Sequence, residues 1–149
     1  MLKLQDGVLV FVTEQSGTEL GVTVEDISTR LGQLGYAVQE TDIDAIGFEL
    51  LKISNYTLNY CNITQIPSII IPRLIDRVCG EFLYYKKNSG SLEGFNYEAV
   101  VKQIKEGDTT LVYAVGQGED TPENRFDAFV KQLERGYDKW ITPHRRIRW

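Results

Sequence analysis

Apolar side chains recur at intervals of three and four residues along most of this chain, and this spacing constrains its fold more than any other feature. An α-helix has 3.6 residues per turn, so the spacing places these side chains on one face of each helix. The longest stripes are Ile43, Ile46, Leu50, Ile53, Thr57 and Tyr60, then Ile71, Leu74, Ile75, Val78, Phe82 and Tyr85, and then Phe126, Phe129, Val130, Leu133 and Tyr137. Because apolar faces must be buried against one another, we predict a mainly α fold, a small helical bundle.

Capping signals predict where the first two helices begin. Thr23 with Asp26, and Thr41 with Asp44, have the spacing of a capping box, in which two side chains satisfy free amides at a helix start. The first predicted helix is short, and the second extends to about Cys61.

Proline marks the starts of two later helices. Pro67 and Pro122 stand where a first helical turn tolerates proline, and Pro72 would either kink the third helix or delay its start. The third helix should end near Asn88 to Gly90, and a shorter helix is predicted from about Asn96 to Glu106.

Two segments change to the pattern of a β-strand. The first is the run Val8 to Val12, and the second is a predicted β-element between two glycine-containing turns. The β-element comprises Thr109, Thr110, Leu111, Val112, Tyr113, Ala114 and Val115.

Size and composition predict one globular domain over residues 1–149. With 42% hydrophobic and 25% charged residues, the chain is near the average for soluble proteins, and its apolar runs are too short to cross a membrane. Its start lacks the features of a signal peptide, so we expect it in the cytoplasm of the cell that makes it. Cys61 and Cys79 lack metal-ligand spacing and are interpreted as small buried side chains.

Catalytic patterns do not stand out in the sequence. The chain has one histidine, His144, and no phosphate-binding loop, so we expect no enzyme activity, no catalytic residue, no metal and no cofactor. Paired acids such as Asp42 and Asp44 lie at predicted helix starts, where carboxylates stabilise the helix dipole.

The last nine residues differ from the rest of the chain. They hold three arginines and no acid, and removing those three charges from the net charge of −5 leaves about −8 for the first 140 residues. Pro143 predicts an extended backbone that keeps Thr142 out of the helical region. We therefore predict an extended C-terminal arm after a helical body of residues 23–140, although a frayed terminus is the alternative. Its binding residues are Ile141, Pro143, His144, Arg145, Arg146, Ile147, Arg148 and Trp149.

Two classes of function can use such an arm. A nucleic-acid-binding protein could use the arginines and the tryptophan, but a sequence pI of about 4.9 means that the rest of the surface repels a polyanion. An assembly protein could use the arm and the exposed strand to bind neighbours, and we prefer this class.

Several motifs, in order, resemble the head–tail connector proteins of tailed bacteriophages. These are the stretch from Asn59 to Pro67, the stretch from Ile75 to Leu83, the glycine-aspartate-threonine strand at 107–115, the threonine-proline-glutamate helix start at 121–123 and the arginine-rich end at 145–149. The resemblance covers roughly residues 23–149, and residues 1–22 are an extension whose role it leaves open.

The resemblance implies a structural protein of the virion neck. It would form a homo-oligomeric ring, usually twelve-fold, that binds the portal protein and the next connector (a stopper) or a tail protein. Genomic DNA would pass through the ring without sequence-specific binding, and no membrane is involved. A stopper or tail-completion protein, and a small DNA-binding regulatory protein, are the alternatives.

Overall fold

Five helices make up most of the structure that the computed structural model describes, which covers residues 2–5, 8–11, 21–91 and 121–147. The helices are α1 (Val24–Gln33), α2 (Ile43–Cys61), α3 (Ile71–Asn88), α4 (Pro122–Glu134) and α5 (Tyr137–Ile141). Short 3-10 turns lie at Glu40–Asp42, Ser68–Ile70 and Thr142–His144. The prediction of a mainly helical fold is confirmed.

The described strands are short and lie before the helices. Strands Leu2–Gln5 and Val8–Phe11 pair antiparallel, with Leu2 opposite Phe11, and the second strand overlaps the predicted run Val8 to Val12. The predicted helix from Asn96 to Glu106 and the predicted β-element Thr109 to Val115 lie outside the described residues.

Helix α1 begins with the predicted capping box. The Asp26 backbone N–H donates to Thr23 Oγ1 at 3.2 Å, and the Thr23 N–H donates to Asp26 Oδ2 at 2.8 Å. Ile27 and Leu31 follow at helical spacing, and both are fully buried. This local signal was therefore sufficient to place the start of the helix.

The predicted box of Thr41 with Asp44 at the start of α2 is wrong. The box is instead formed one element earlier, where the Gln39 N–H donates to Asp42 Oδ2 at 3.0 Å across the turn Glu40–Asp42. Asp42 is buried, and it also accepts hydrogen bonds from Tyr36 Oη at 2.8 Å and Lys86 Nζ at 2.9 Å. These two hydrogen bonds, the second from a residue 44 positions away, favour Asp42 over Asp44 as the acid of the capping box.

Helix α3 lies at the centre of the described helices and packs against α1, α2 and α4. The 3-10 turn Ser68–Ile70 comes first, and α3 begins only at Ile71, so that Pro72 lies in its first turn. Of the two predicted effects of Pro72, the structure therefore shows the delayed start. Its buried side chains include Leu74, Val78, Cys79, Phe82 and Leu83. The ring of Phe82 meets that of Tyr36 edge to face, with the centroids 5.5 Å apart.

Helix α4 approaches α3 closely at a glycine. Helix α4 begins at Pro122 as predicted, and Thr121 caps it by accepting the Asn124 N–H at 3.2 Å. A Cβ atom on Gly80 would lie 3.0 Å from Glu134 Cγ and 3.2 Å from Leu133 Cβ, so only glycine fits here without displacement. Glycine therefore sets the spacing between the two helices.

A second glycine reverses the chain after α4. Gly136 has φ of +80°, a conformation that glycine adopts without strain, and it separates α4 from α5. Tyr137, predicted on the same stripe as Phe126, therefore lies on α5.

Both cysteines are buried and unbonded to each other, in agreement with the sequence-based interpretation. Burial raises the pKa of the Cys79 thiol to about 12, and burial also raises that of Cys61. Among the described helices, none is long and apolar enough to cross a membrane.

Candidate functional site

The described part of the predicted arm folds back against the body. Ile141 is the last residue of α5 and is fully buried, so the predicted boundary after Trp140 falls within this helix. Thr142 has helical dihedral angles, so its predicted extended conformation is wrong. The physical reason is that Pro143 stands in the first turn of a 3-10 helix, where no N–H is required, while Thr142 Oγ1 donates to the Asp138 carbonyl at 2.6 Å.

Helix α5 is fixed to α2 by buried and half-exposed tyrosines. The hydroxyls of Tyr137 and Thr57 are 2.6 Å apart in the interior, and burial raises the pKa of Tyr137 to about 12. On the outer side, Tyr56 Oη donates to Asp138 Oδ1 at 2.9 Å. Helix α5 has only five residues, so these contacts, rather than its own hydrogen bonds, hold it in place.

The chain after α5 is tied to the end of α2 by two hydrogen bonds. The Arg146 N–H donates to the Cys61 carbonyl at 2.7 Å, and Asn62 Nδ2 donates to the Arg146 carbonyl at 3.2 Å. Asn62 has φ of +53°, a left-handed conformation that asparagine tolerates better than most residues and that ends α2. One residue thus terminates the helix and tethers the C-terminal segment.

Two cation–π pairs, each formed by an arginine and an aromatic side chain, lie beside α5. The Arg145 guanidinium lies 5.4 Å from the ring centroid of Tyr60 on α2, and the Arg73 guanidinium lies 4.9 Å from that of Trp140. Tyr60 also stacks on Tyr56, with centroids 5.7 Å apart and an angle of 25° between the rings. We call these five residues, Tyr56, Tyr60, Arg73, Trp140 and Arg145, the cation–aromatic surface.

An ion-pair network lies between the helices that support this surface. Arg77 Nη2 contacts Glu81 Oε1 at 2.6 Å, and Arg77 Nη1 donates to the Glu134 carbonyl at 3.4 Å, which joins α3 to the end of α4. Lys52 on α2 contacts Glu81 at 3.3 Å. The pKa of the Glu134 carboxyl is raised, mainly because the group is buried. The nearby Arg77 lowers this pKa and the nearby Glu81 raises it, but neither effect is as large as that of burial. The network holds the end of α4 against α3, and α5 begins shortly after this end.

The predicted arm residues have unequal roles in this arrangement. Arg145, Arg146 and Ile147 are exposed, whereas His144 is half-buried and Ile141 belongs to the core. Pro143 is exposed in the 3-10 turn. Arg148 and Trp149, like the predicted β-element, lie outside the described residues.

Sequence reasoning missed four members of the cation–aromatic surface, and one signal could have found two of them. Tyr56 and Tyr60 stand four residues apart on one helix, so their rings were bound to be neighbours. Arg73 and Trp140 are 67 positions apart, and only the fold brings them together.

The chemistry of the site is that of recognition. Guanidinium groups and aromatic rings bind carboxylates, phosphates and flat apolar groups. Residues 21–91 and 121–147 contain no group of three or more histidine, cysteine or acidic side chains placed to hold a metal ion. No protein-family model, no curated protein and no solved structure matched this chain. Its function is therefore inferred from its own residues.

Proposed function

We propose that this chain is a head–tail connector of a tailed bacteriophage, a structural protein that joins the DNA-filled head to the tail. In this proposal it forms a ring, usually twelve-fold, beneath the portal in the virion neck. The cation–aromatic surface binds the portal protein, and another face binds the next connector or a tail protein. The proposal is supported by the order of the motifs in the sequence and by a surface that is built for binding.

The observation that carries the proposal is the exposure of Trp140. The Trp140 side chain keeps 45% of its surface exposed although Arg73 covers one face of its ring. Tryptophan, tyrosine and arginine are the residues that most often dominate the energy of protein interfaces. Buried Tyr137 and Ile141 hold α5 in place before a partner binds. The entropic cost of ordering this surface on binding is therefore small.

Electrostatics favour a protein partner over a DNA contact for most of the surface. The chain has a net charge of −5, so DNA that passes through a ring of such subunits would slide along a repulsive wall. The β-element Thr109 to Val115, and Arg148 with Trp149, remain proposed contacts with a neighbouring subunit or the portal. A stopper or tail-completion protein of the same neck would use the surface in the same way with a different partner.

A second candidate function has one observation in its favour. The stacked rings of Tyr56 and Tyr60, with Arg145 over the Tyr60 ring, resemble the platforms on which single-stranded nucleic acids stack their bases. A small DNA-binding protein would then use the surface that we assign to the portal. Salt separates the two candidates, because nucleic-acid binding weakens steeply as the salt concentration rises.

The test measures capture by a portal ring. The purified full chain is mixed with the portal ring of its own phage, and the complex is sized by light scattering. We expect capture by the full chain and at least about tenfold weaker capture by Trp140→Ala or Arg145→Glu, as for the removal of an interface hot spot. Tyr84→Ala is the matched control, because it truncates another exposed aromatic side chain, on α3.

The outcomes separate the candidates. Portal capture that W140A weakens and Y84A leaves unchanged supports the connector. No capture, together with salt-sensitive binding of an oligothymidine strand that R145E abolishes, would instead establish the DNA-binding candidate. Truncation after Trp140 is a poor variant because it deletes the buried Ile141 and with it part of the core.

A further inference from the structure

A pocket of about 500 Å³ opens beside the loop that connects α2 to α3. The loop from Ile63 to Ser68 forms most of its wall, and Gly21, Ile71 and Arg146 complete it. Its volume is in the range of ordinary ligand sites and is large enough for a bulky side chain. None of the residues that line it belongs to the cation–aromatic surface.

Apolar and cationic groups meet at this pocket. Ile63, Ile66, Pro67 and Ile71 contribute apolar wall, and Arg146 is the single charged residue among those that line it. Among the described residues that line the pocket, none is acidic. Thr64, Gln65 and Ser68 add polar groups to the wall, and the combination of isoleucines with one arginine favours a ligand that has an apolar group beside a negative charge.

Two residues next in sequence to the pocket lining have exposed aliphatic side chains. Ile69, which follows the lining residue Ser68, is 63% exposed, and Ile147, which follows Arg146, is 75% exposed. Exposed aliphatic side chains so near the lining residues in sequence favour a partner that extends beyond the pocket itself. The backbone of Arg146 is hydrogen-bonded to Cys61 and Asn62, so the point from which its side chain extends is fixed before binding.

We infer that this pocket binds a short segment of a partner protein in which an apolar side chain stands next to a carboxylate. The apolar side chain enters between Ile63 and Ile71, and the carboxylate pairs with the Arg146 guanidinium. Flanking residues of the segment cover Ile69 and Ile147. The inference is independent of the connector proposal, because it concerns another surface and its test needs no portal.

The experiment follows backbone amide signals of the isotopically labelled full chain by NMR. The probe is a pentapeptide that alternates leucine with aspartate, and two matched probes alternate leucine with lysine and serine with aspartate. We expect saturable shifts of the Thr64, Gln65 and Ser68 amides with the first probe alone. Arg146→Glu should weaken binding at least about tenfold, whereas Arg135→Glu, the same charge change at the end of α4, should leave it unchanged.

A second variant tests the pocket without a change of charge. Ser68 is exposed at the pocket wall, so Ser68→Trp should fill the pocket and abolish the shifts while the rest of the spectrum keeps its folded pattern. The inference is overturned if the leucine–aspartate probe causes no saturable shift at residues 64–68. It is also overturned if the leucine–lysine probe binds equally well, if S68W or R146E binds like the unaltered chain, or if an oligothymidine strand shifts the same amides at lower concentration.

Discussion

Replacing Asp42 should destabilise this protein more than replacing any exposed acid, because Asp42 is the point where three separate segments meet. Its side chain is only 2% exposed, and it accepts hydrogen bonds from Tyr36, Gln39 and Lys86 at 2.8, 3.0 and 2.9 Å. Asp42→Ala would leave the Lys86 ammonium and the Tyr36 hydroxyl without this partner in a largely dehydrated place. Breaking a buried ion pair in this way costs about 3–5 kcal/mol.

Asp42→Asn isolates the contribution of the charge. The amide keeps one acceptor oxygen but cannot accept from all three donors, so we expect a loss of about 2 kcal/mol in the free energy of unfolding. The matched control is Asp44→Asn, an exposed acid in the first turn of α2, which should cost no more than about 0.5 kcal/mol through the helix dipole. Urea unfolding followed by circular dichroism at neutral pH measures all three variants.

Acid should reduce the difference between the unaltered chain and D42N. Burial raises the pKa of Asp42, but the Gln39 N–H, Lys86 and Tyr36 outweigh it, so the folded-state pKa lies below the ordinary value. The stability that this group contributes is therefore fully present above the unfolded pKa of about 4 and is lost as the pH falls through the folded pKa. Equal unfolding free energies for D42N and D44N at neutral pH, or a gap that does not narrow in acid, would refute the reasoning.

Three further predictions concern packing and reactivity. Gly80→Val should lower the unfolding free energy by about 1–3 kcal/mol, because α4 lies against this glycine, whereas Gly32→Val, which has open space, should be nearly neutral; urea unfolding compares them. Ile141→Ala should cost about 2–4 kcal/mol and exposed Ile147→Ala less than about 0.5 kcal/mol, and equal losses would contradict the packing of α5. Iodoacetamide should modify Cys79 about a hundredfold more slowly in the folded chain than in concentrated urea, as measured by mass spectrometry, because its pKa is about 12 and it is buried.

Local signals in the sequence were enough to predict most of the described helices. The capping box of Thr23 with Asp26 and the cap at Thr121 involve residues three positions apart, so a short window contains all the information. The apolar stripes of α2 and α3 also predicted most of the core, because Leu50, Leu74 and Phe82 are fully buried, but Tyr85 at the end of the α3 stripe is 50% exposed. Periodicity encodes which face is buried, and this is a property of each helix alone.

The errors arise where partners are distant in sequence. Thr41 with Asp44 is as good a local box as the one that forms, and Lys86, 44 positions away, decides in favour of Asp42. The same holds for the candidate site, because Trp140 meets Arg73 only in the folded chain. Pro143 was interpreted as the start of an extended arm, although the rule that was applied to Pro122, that a first helical turn tolerates proline, also fits it.

The attachment of the C-terminal segment to α2 has a consequence for the order of folding during synthesis. Tyr137, Ile141 and Arg146 contact Thr57, Cys61 and Asn62 across 80 to 84 positions of sequence. Synthesis therefore completes α2 and α3 well before the residues that contact the end of α2, so this end cannot make these contacts until α5 has been made. Because contacts so distant in sequence slow folding, the step that completes the core should be the docking of α5, late and after α2 and α3 have met.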